Sequence, residues 1–67
     1  MFMRWILNWF GKFYSDDTEG WNSRETNSWA EAITDFTFLN DEGFECYLED
    51  SVYGCSLHWC DGQPEWR

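Results

Sequence analysis

The sequence predicts an α+β fold, with an N-terminal amphipathic helix and a short second helix packed on a three-stranded antiparallel β-meander. Three observations lead to this prediction. Apolar residues recur at helical spacing over residues 2–14, a helix-capping pattern begins at Ser28, and the apolar period changes to two from residue 34. The length of 67 residues predicts a single small domain, 1–67, with a correspondingly small core.

The first predicted helix carries a wide aromatic face. Gly11, a weak helix former, favours an end of the helix close to it. The face is interpreted as half of the core, or alternatively as a surface open to a partner, a second copy or a membrane. Its members follow the i, i+3, i+4, i+7 series and are Phe2, Trp5, Ile6, Trp9, Phe10 and Phe13.

The second predicted helix follows a polar, acidic loop at residues 15–20. Ser28 and Glu31 fit a capping box, in which Ser28 accepts a hydrogen bond from a first-turn amide and Glu31 bonds back to the cap. We therefore expect a short helix over residues 29–35. Ser23 is an alternative start for this helix.

Alternation with a period of two predicts strands at residues 34–39, 44–49 and 53–60. Gly43 suits the left-handed position of the first hairpin turn, and the tail 61–67 is expected to be irregular. The predicted inner face consists of Phe36, Phe38, Phe44, Cys46, Leu48, Cys55, Leu57 and Trp59. The predicted solvated face carries Asp35, Glu45, Tyr47, Glu49 and His58.

Acidic residues are unevenly distributed along the chain. The net charge is −9, and residues 31–50 contain seven acids and no base. Carboxylates two residues apart on one strand face are about 6.6 Å apart, similar to successive phosphates of a nucleic acid. An alternative is that the acids only keep a tryptophan-rich protein soluble. We predict a partner-binding site formed by Asp35, Asp41, Glu42, Glu45, Tyr47, Glu49 and Asp50.

The same composition disfavours several classes of function. Strong acidity disfavours direct binding to nucleic acid and to anionic membranes, and the sequence has no apolar run of about 18–20 residues that could span a bilayer. We expect no cofactor and no enzymatic activity, because phosphate-binding glycine loops and an oxyanion turn near a cysteine are missing from the sequence.

The three cysteines are Cys46, Cys55 and Cys60, an odd number that favours reduced thiols and a cytoplasmic location. A Cys46–Cys55 disulfide between adjacent strands is the alternative. A zinc site that adds His58 is not expected, since strand alternation divides the four ligands between the two faces of the sheet.

In size, acidity and aromatic content the chain is similar to small acidic inhibitors that phages and mobile elements make against host nucleases, restriction enzymes or CRISPR complexes. It is also similar to immunity proteins that neutralise nuclease toxins. No motif carries this similarity, so it implies no residue roles. We expect an inhibitor of the anti-CRISPR or anti-restriction type that binds a basic, nucleic-acid-binding protein. The alternatives are an immunity protein, or a homodimeric or assembly module that uses the aromatic N-terminal helix.

Overall fold

A computed structural model of the chain describes residues 3–11 and 20–67. One helix packs on one side of a five-stranded sheet, in which every pair of neighbouring strands is antiparallel. The strand order is β2-β1-β3-β4-β5. The elements are β1 (Trp5–Phe10), β2 (Trp21–Thr26), α1 (Trp29–Asp41), β3 (Glu45–Asp50), β4 (Cys55–Cys60) and β5 (Gln63–Trp66).

The predicted fold of two helices on a three-stranded meander is therefore wrong. The helix predicted over residues 2–14 is strand β1 where it is described, and residues 2 and 12–14 lie outside the described residues. Trp5, Leu7 and Trp9 are buried and alternate with more exposed neighbours, which is the period of a strand. A short, almost continuously apolar run satisfies both periods, and its bulky aromatic and β-branched residues suit a sheet.

Strand β1 lies between β2 and β3 and is antiparallel to both. Strands β2 and β3 consequently run in the same direction, and a parallel connection requires a crossover over one face of the sheet. Helix α1 makes this crossover and packs on β1 and β3. Strand β2 is largely polar, so its sequence shows no apolar alternation and its place in the sheet depends on pairing with β1.

Helix α1 begins where the capping pattern predicts. The Ser28 side chain accepts a hydrogen bond from the Glu31 amide at 3.2 Å, whereas the Glu31 carboxylate binds Arg24 instead of bonding back to the cap. The helix continues to Asp41, so the predicted end at residue 35 and the predicted strand 34–39 are wrong. Ala32, Phe36 and Leu39 are buried on one helical face. Phe38, which strand alternation would place beside Phe36, is 46% exposed.

Gly43 adopts the left-handed conformation that the sequence predicts, with φ +87°, but at a helix end rather than in a hairpin. Its amide donates to the Asn40 carbonyl at 3.1 Å, and the Phe44 amide donates to the Leu39 carbonyl at 2.9 Å. These two bonds form a Schellman motif, which satisfies carbonyls at the end of α1 and directs the chain into β3.

Strand β5 replaces the predicted irregular tail. Asp61 and Gly62 both have positive φ values, 52° and 81°, which suit a two-residue hairpin turn between β4 and β5. Pro64 is accommodated because β5 is an edge strand, where a missing amide donor costs little. The Asp-Gly pair is a strong hairpin signal in the sequence, and the predicted irregular tail is wrong.

The core lies between α1 and the central strands. Phe36, Leu39 and Leu48 are fully buried and pack with Trp9 and Leu57 in one hydrophobic cluster. At one end of the sheet, the buried Asp50 carboxylate accepts two hydrogen bonds from the Arg4 guanidinium, at 3.2 and 3.1 Å. Asp50 Oδ1 also accepts from the Val52 amide at 3.0 Å. Asp50 thus connects the start of β1 to the turn after β3.

Replacing Phe36 by Ala should destabilise the fold strongly. Phe36 has no exposed surface, and truncating a buried Phe typically costs about 3–5 kcal/mol because a cavity remains. Chemical denaturation followed by circular dichroism measures the change in the free energy of unfolding.

Phe38→Ala in the same helix is the matched control, because Phe38 is 46% exposed. Phe38→Ala should lower the free energy of unfolding by roughly half as much as Phe36→Ala, or less. Equal losses for the two variants would contradict the helical placement of this segment.

The stabilisation that Asp50 provides should depend on pH. The hydrogen bonds from Arg4, and those from the amides of Val52 and Tyr53, hold the pKa of Asp50 below its ordinary value. Because the folded-state pKa is the lower one, the carboxylate stabilises the fold fully above the unfolded pKa of about 3.9. This stabilisation is lost as the pH falls through the folded-state pKa.

Asp50→Asn should therefore be less stable than the wild type at pH 7, and the difference should shrink below pH ~4. Urea denaturation of both proteins from pH 7 to pH 2 measures it. Glu65→Gln, which removes an exposed carboxylate from edge strand β5, is the control and should show little change. A difference for Asp50→Asn that stays constant down to pH 2 would contradict this role.

Candidate protein-binding face

The sheet has one side covered by α1 and one side without a covering element among the described residues. We call the second side the open face. Directly paired strand residues point to the same side of a sheet, so the register assigns each position. The strand positions of the open face are Ile6, Asn8, Phe10, Trp21, Ser23, Glu25, Glu45, Tyr47, Glu49, Ser56, His58, Cys60, Gln63 and Glu65. Arg67, just after β5, lies on the same side, because it exchanges two backbone hydrogen bonds with Ser56.

Four rings from four neighbouring strands form a continuous contact across the open face. We call Phe10, Trp21, Tyr47 and His58 the aromatic row. The Phe10 and Trp21 rings meet edge to face with centroids 5.7 Å apart. The Trp21 ring extends over β1 to Tyr47, with centroids 5.5 Å apart and an interplanar angle of 61°. These distances are typical of favourable aromatic pairs.

The far end of the aromatic row is a parallel stack. The Tyr47 and His58 rings are 5.6 Å apart with an interplanar angle of 12°. His58 Nε2 shares a hydrogen bond of 2.8 Å with Ser56 Oγ, two residues earlier on the same strand face. The Ser56 contact fixes the imidazole plane, and the stack in turn supports the Tyr47 ring.

Two adjacent, exposed aromatic rings are the main apolar feature of the open face. Phe10 is 49% exposed and Trp21 is 51% exposed, and they are adjacent. Large aromatic side chains that remain exposed next to one another are typical of protein-binding surfaces, where Trp and Tyr often contribute most of the affinity.

The carboxylates of the open face differ in their hydrogen-bond partners. Glu49 accepts a hydrogen bond of 2.9 Å from the Asn8 amide group. Glu45 lies directly opposite Phe10, beside the aromatic row. Among the described residues Glu45 has no hydrogen-bond or ion-pair partner, so its carboxylate is available to a ligand.

Only part of the predicted acidic site comes together. Glu45, Tyr47 and Glu49 share the open face, as strand alternation predicts. Asp41 is the last residue of α1 and Glu42 is its C-cap, so neither belongs to a hairpin turn.

The remaining two predicted site residues form ion pairs with arginines away from the open face. Asp35 is not on the sheet: it lies on α1 and binds Arg24 of β2 at 3.0 Å. Asp50 is buried on the helix side of the sheet and binds Arg4. The predicted continuous acidic surface is therefore divided, because four of its six acids belong to the helix or its C-cap, or point inward.

The sequence interpretation did not assign Phe10 and Trp21 to the site. The sequence predicts a helix at Phe10 and no regular element at Trp21. Reading Trp5–Phe10 as a strand would have put Phe10 and Asn8 on one face. The pairing of Trp21 with Phe10 depends on the β1–β2 register, for which the sequence carries no signal.

A second aromatic cluster connects three elements of the fold and does not belong to the open face. Trp5 is 4.7 Å from Trp29 and 6.3 Å from Trp66 between ring centroids, and the Trp29 and Trp66 rings are stacked. These contacts join the start of α1 to edge strand β5 over the buried Trp5. The cluster lies on the helix side of the sheet and is separate from the open face.

The three cysteines are free thiols. Cys55 is paired with Asp50 and Cys46 with Trp9, so the two cysteines lie four positions apart along the strands and are not a cross-strand pair. Within residues 3–11 and 20–67, no three His, Cys, Asp or Glu side chains are grouped so that they could hold a metal ion. Cys60 accepts a hydrogen bond of 3.1 Å from Arg67 at the end of β4.

Cys46 should be the least reactive thiol of the native protein. It is 9% exposed, and burial raises its pKa to about 11, so little thiolate forms at pH 8. Iodoacetamide at pH 8 should alkylate Cys55 and Cys60, both half-buried, well before Cys46. Peptide mass spectrometry measures the three rates, and all three cysteines should react in denaturant. Equal rates in the native protein would contradict the position of Cys46.

No helix within the described ranges is long and apolar enough to cross a membrane. The chain matches no protein-family model, no curated protein and no solved structure. Its function is therefore inferred from the charges and rings of the open face.

Proposed function

We propose that this chain is a small acidic binding protein that docks its open face on a basic, nucleic-acid-binding surface of a partner protein. The charge of the open face carries the proposal. Four of its strand positions are glutamates: Glu25, Glu45, Glu49 and Glu65. No described strand position on this face is a lysine or an arginine. The Arg67 guanidinium reaches this face at Cys60.

The ion pairs of the described residues leave these carboxylates free to attract a partner. Arg4 binds Asp50, and Arg24 binds Glu31 and Asp35, all away from the open face. Because this chain has a net charge of −9, it would attract a basic partner over long range, which speeds encounter at low salt.

The arrangement imitates a nucleic acid both in charge and in the spacing of two carboxylates. Glu45 and Glu49 are four residues apart on β3, which corresponds to about 13 Å. This distance is close to two phosphate steps, and the rings of Phe10, Trp21 and Tyr47 lie near the same strands. A partner that binds both phosphates and bases would meet carboxylates and aromatic rings.

Direct binding of nucleic acid is disfavoured by the same face. Single strands bind to proteins whose aromatic rings are combined with a positively charged groove. Here the rings are combined with Glu45 and Glu49, which repel phosphates. A protein that binds nucleic acid therefore fits the open face better than nucleic acid itself does.

Covering a nucleic-acid-binding surface would prevent its ligand from binding, so the proposed activity is inhibition. Restriction enzymes and CRISPR complexes are candidate targets, with the cytoplasm as the place of action. The free thiols are in keeping with a reducing compartment. A nuclease-toxin immunity protein would use the same chemistry.

The alternative of assembly through an aromatic N-terminal helix loses its basis. Trp5 and Trp9, which that helix would have presented, belong to β1 and are buried beneath α1. Phe10 is the described member of that predicted face that is most exposed, and it belongs to the open face.

Reversing the charge of two carboxylates on the open face should weaken binding of the partner. Wild-type protein on a resin should capture basic, nucleic-acid-binding proteins from host lysate at ~50 mM salt and release them near ~500 mM, where screening is strong. Glu45→Lys combined with Glu49→Lys should weaken binding of a captured protein by at least about tenfold, because each close charge pair is lost and replaced by repulsion.

Asp41→Lys combined with Glu42→Lys is the matched control, since it makes the same charge change at the end of α1. It should weaken binding of the captured protein much less. The captured protein should also lose its nucleic acid when the wild type is added. Equal effects of the two double variants, or capture that survives high salt, would overturn the proposal.

A further inference from the structure

We infer that the aromatic row is an arginine-binding site, in which a guanidinium of the partner stacks on the exposed rings and pairs with Glu45. This inference deepens the proposed function and rests on it. The proposed function requires only a basic partner, whereas this inference names arginine over lysine as the side chain that the face recognises.

The ring geometry leaves flat surfaces uncovered at one end of the row. The Tyr47–His58 pair is parallel and therefore covers one face of each ring. The Phe10–Trp21 pair, with an interplanar angle of 70°, meets edge to face, so at most one ring face is covered by the other. Phe10 and Trp21 are each about half exposed, at 49% and 51%. The Phe10–Trp21 end thus offers the surface on which a planar group can stack.

A carboxylate lies at the same end of the row. Glu45 is paired with Phe10 across β1 and β3, and it precedes Tyr47 by two residues on the same face. It is exposed and has no ion-pair partner among the described residues. Glu49 differs, because the Asn8 side chain already donates to its carboxylate at 2.9 Å. Glu45 is therefore the acid that can pair with a ligand held on the rings.

Arginine fits this combination better than the other candidates do. Its guanidinium is planar, stacks on aromatic rings and presents a fork of donors that matches a carboxylate. The ammonium of lysine is a compact, strongly hydrated charge that gains less from a ring surface. A nucleobase would also stack, but its phosphates would meet Glu45 and Glu49.

Two peptides of equal length and charge provide the test, one with three arginines and the other with three lysines between glycine and serine residues. Isothermal titration calorimetry at low salt measures binding to the intact chain. The arginine peptide should bind about threefold to tenfold more tightly, which matches the usual strength of cation–π contacts and ring stacking. A single-stranded oligonucleotide should not bind.

Variants then assign the preference to the residues of the site. Trp21→Leu and Glu45→Gln should each reduce the arginine-to-lysine ratio to about one. Trp29→Leu is the ring control, because Trp29 is 43% exposed but lies on the helix side. Glu42→Gln is the charge control, because it removes an exposed carboxylate at the C-cap of α1, which is not on the open face. Both controls should keep the preference, and circular dichroism checks that each variant folds.

The outcomes separate this inference from the proposed function. If both peptides bind equally and salt releases them, the aromatic row is not an arginine site, while a basic partner remains supported. If the preference survives in both Trp21→Leu and Glu45→Gln, the site lies elsewhere and the inference is overturned. Binding of the oligonucleotide in place of either peptide would overturn both the inference and the proposed function. Glu45→Gln is a conservative change on an exposed position, so its result does not depend on how well Trp21→Leu folds.

Discussion

The position of strand β1 between β2 and β3 is the constraint on which the rest of the structure depends. Because β2 and β3 both run antiparallel to β1, the chain between them must cross one side of the sheet. Helix α1 is that crossover, and its Phe36 and Leu39 meet the inward residues of the sheet. The described residues supply one such helix, so no described element covers the other side of the sheet.

The same division assigns the acids their different roles. Asp50 points to the helix side of the sheet, where Arg4 binds it, and Asp35 lies on α1, where Arg24 of β2 binds it. Glu45 and Glu49 point to the open face, where Arg67, held at Cys60, is the one cation among the described residues. Glu45, Glu49 and Asp50 are chemically similar and lie on one strand, so the parity of each position decides whether the acid faces the helix or the open face, whereas Asp35 is placed by α1.

Several local features could be predicted from the sequence because short-range chemistry dictates them. The Ser28 cap, the left-handed Gly43, and the alternation of Glu45, Tyr47 and Glu49 all agree with the structure. The Asp61-Gly62 turn belongs to the same class, although its signal was overlooked. For segments whose apolar residues fit both the helical and the strand period, the sequence predicts the wrong element.

By itself, the sequence determined the capped start of α1, the facing of the residues along β3 and β4, and the acidic character of the chain. The tertiary structure alone decided that Trp5–Phe10 is a strand and that residues 34–41 continue the helix. It also brought Trp21 to Phe10 and Tyr47, residues distant in sequence. The reason is that caps, turns and alternation depend on neighbours along the chain. The choice between helix and strand for a short apolar run, and the register of β1 with β2, depend on which distant surface buries each side chain.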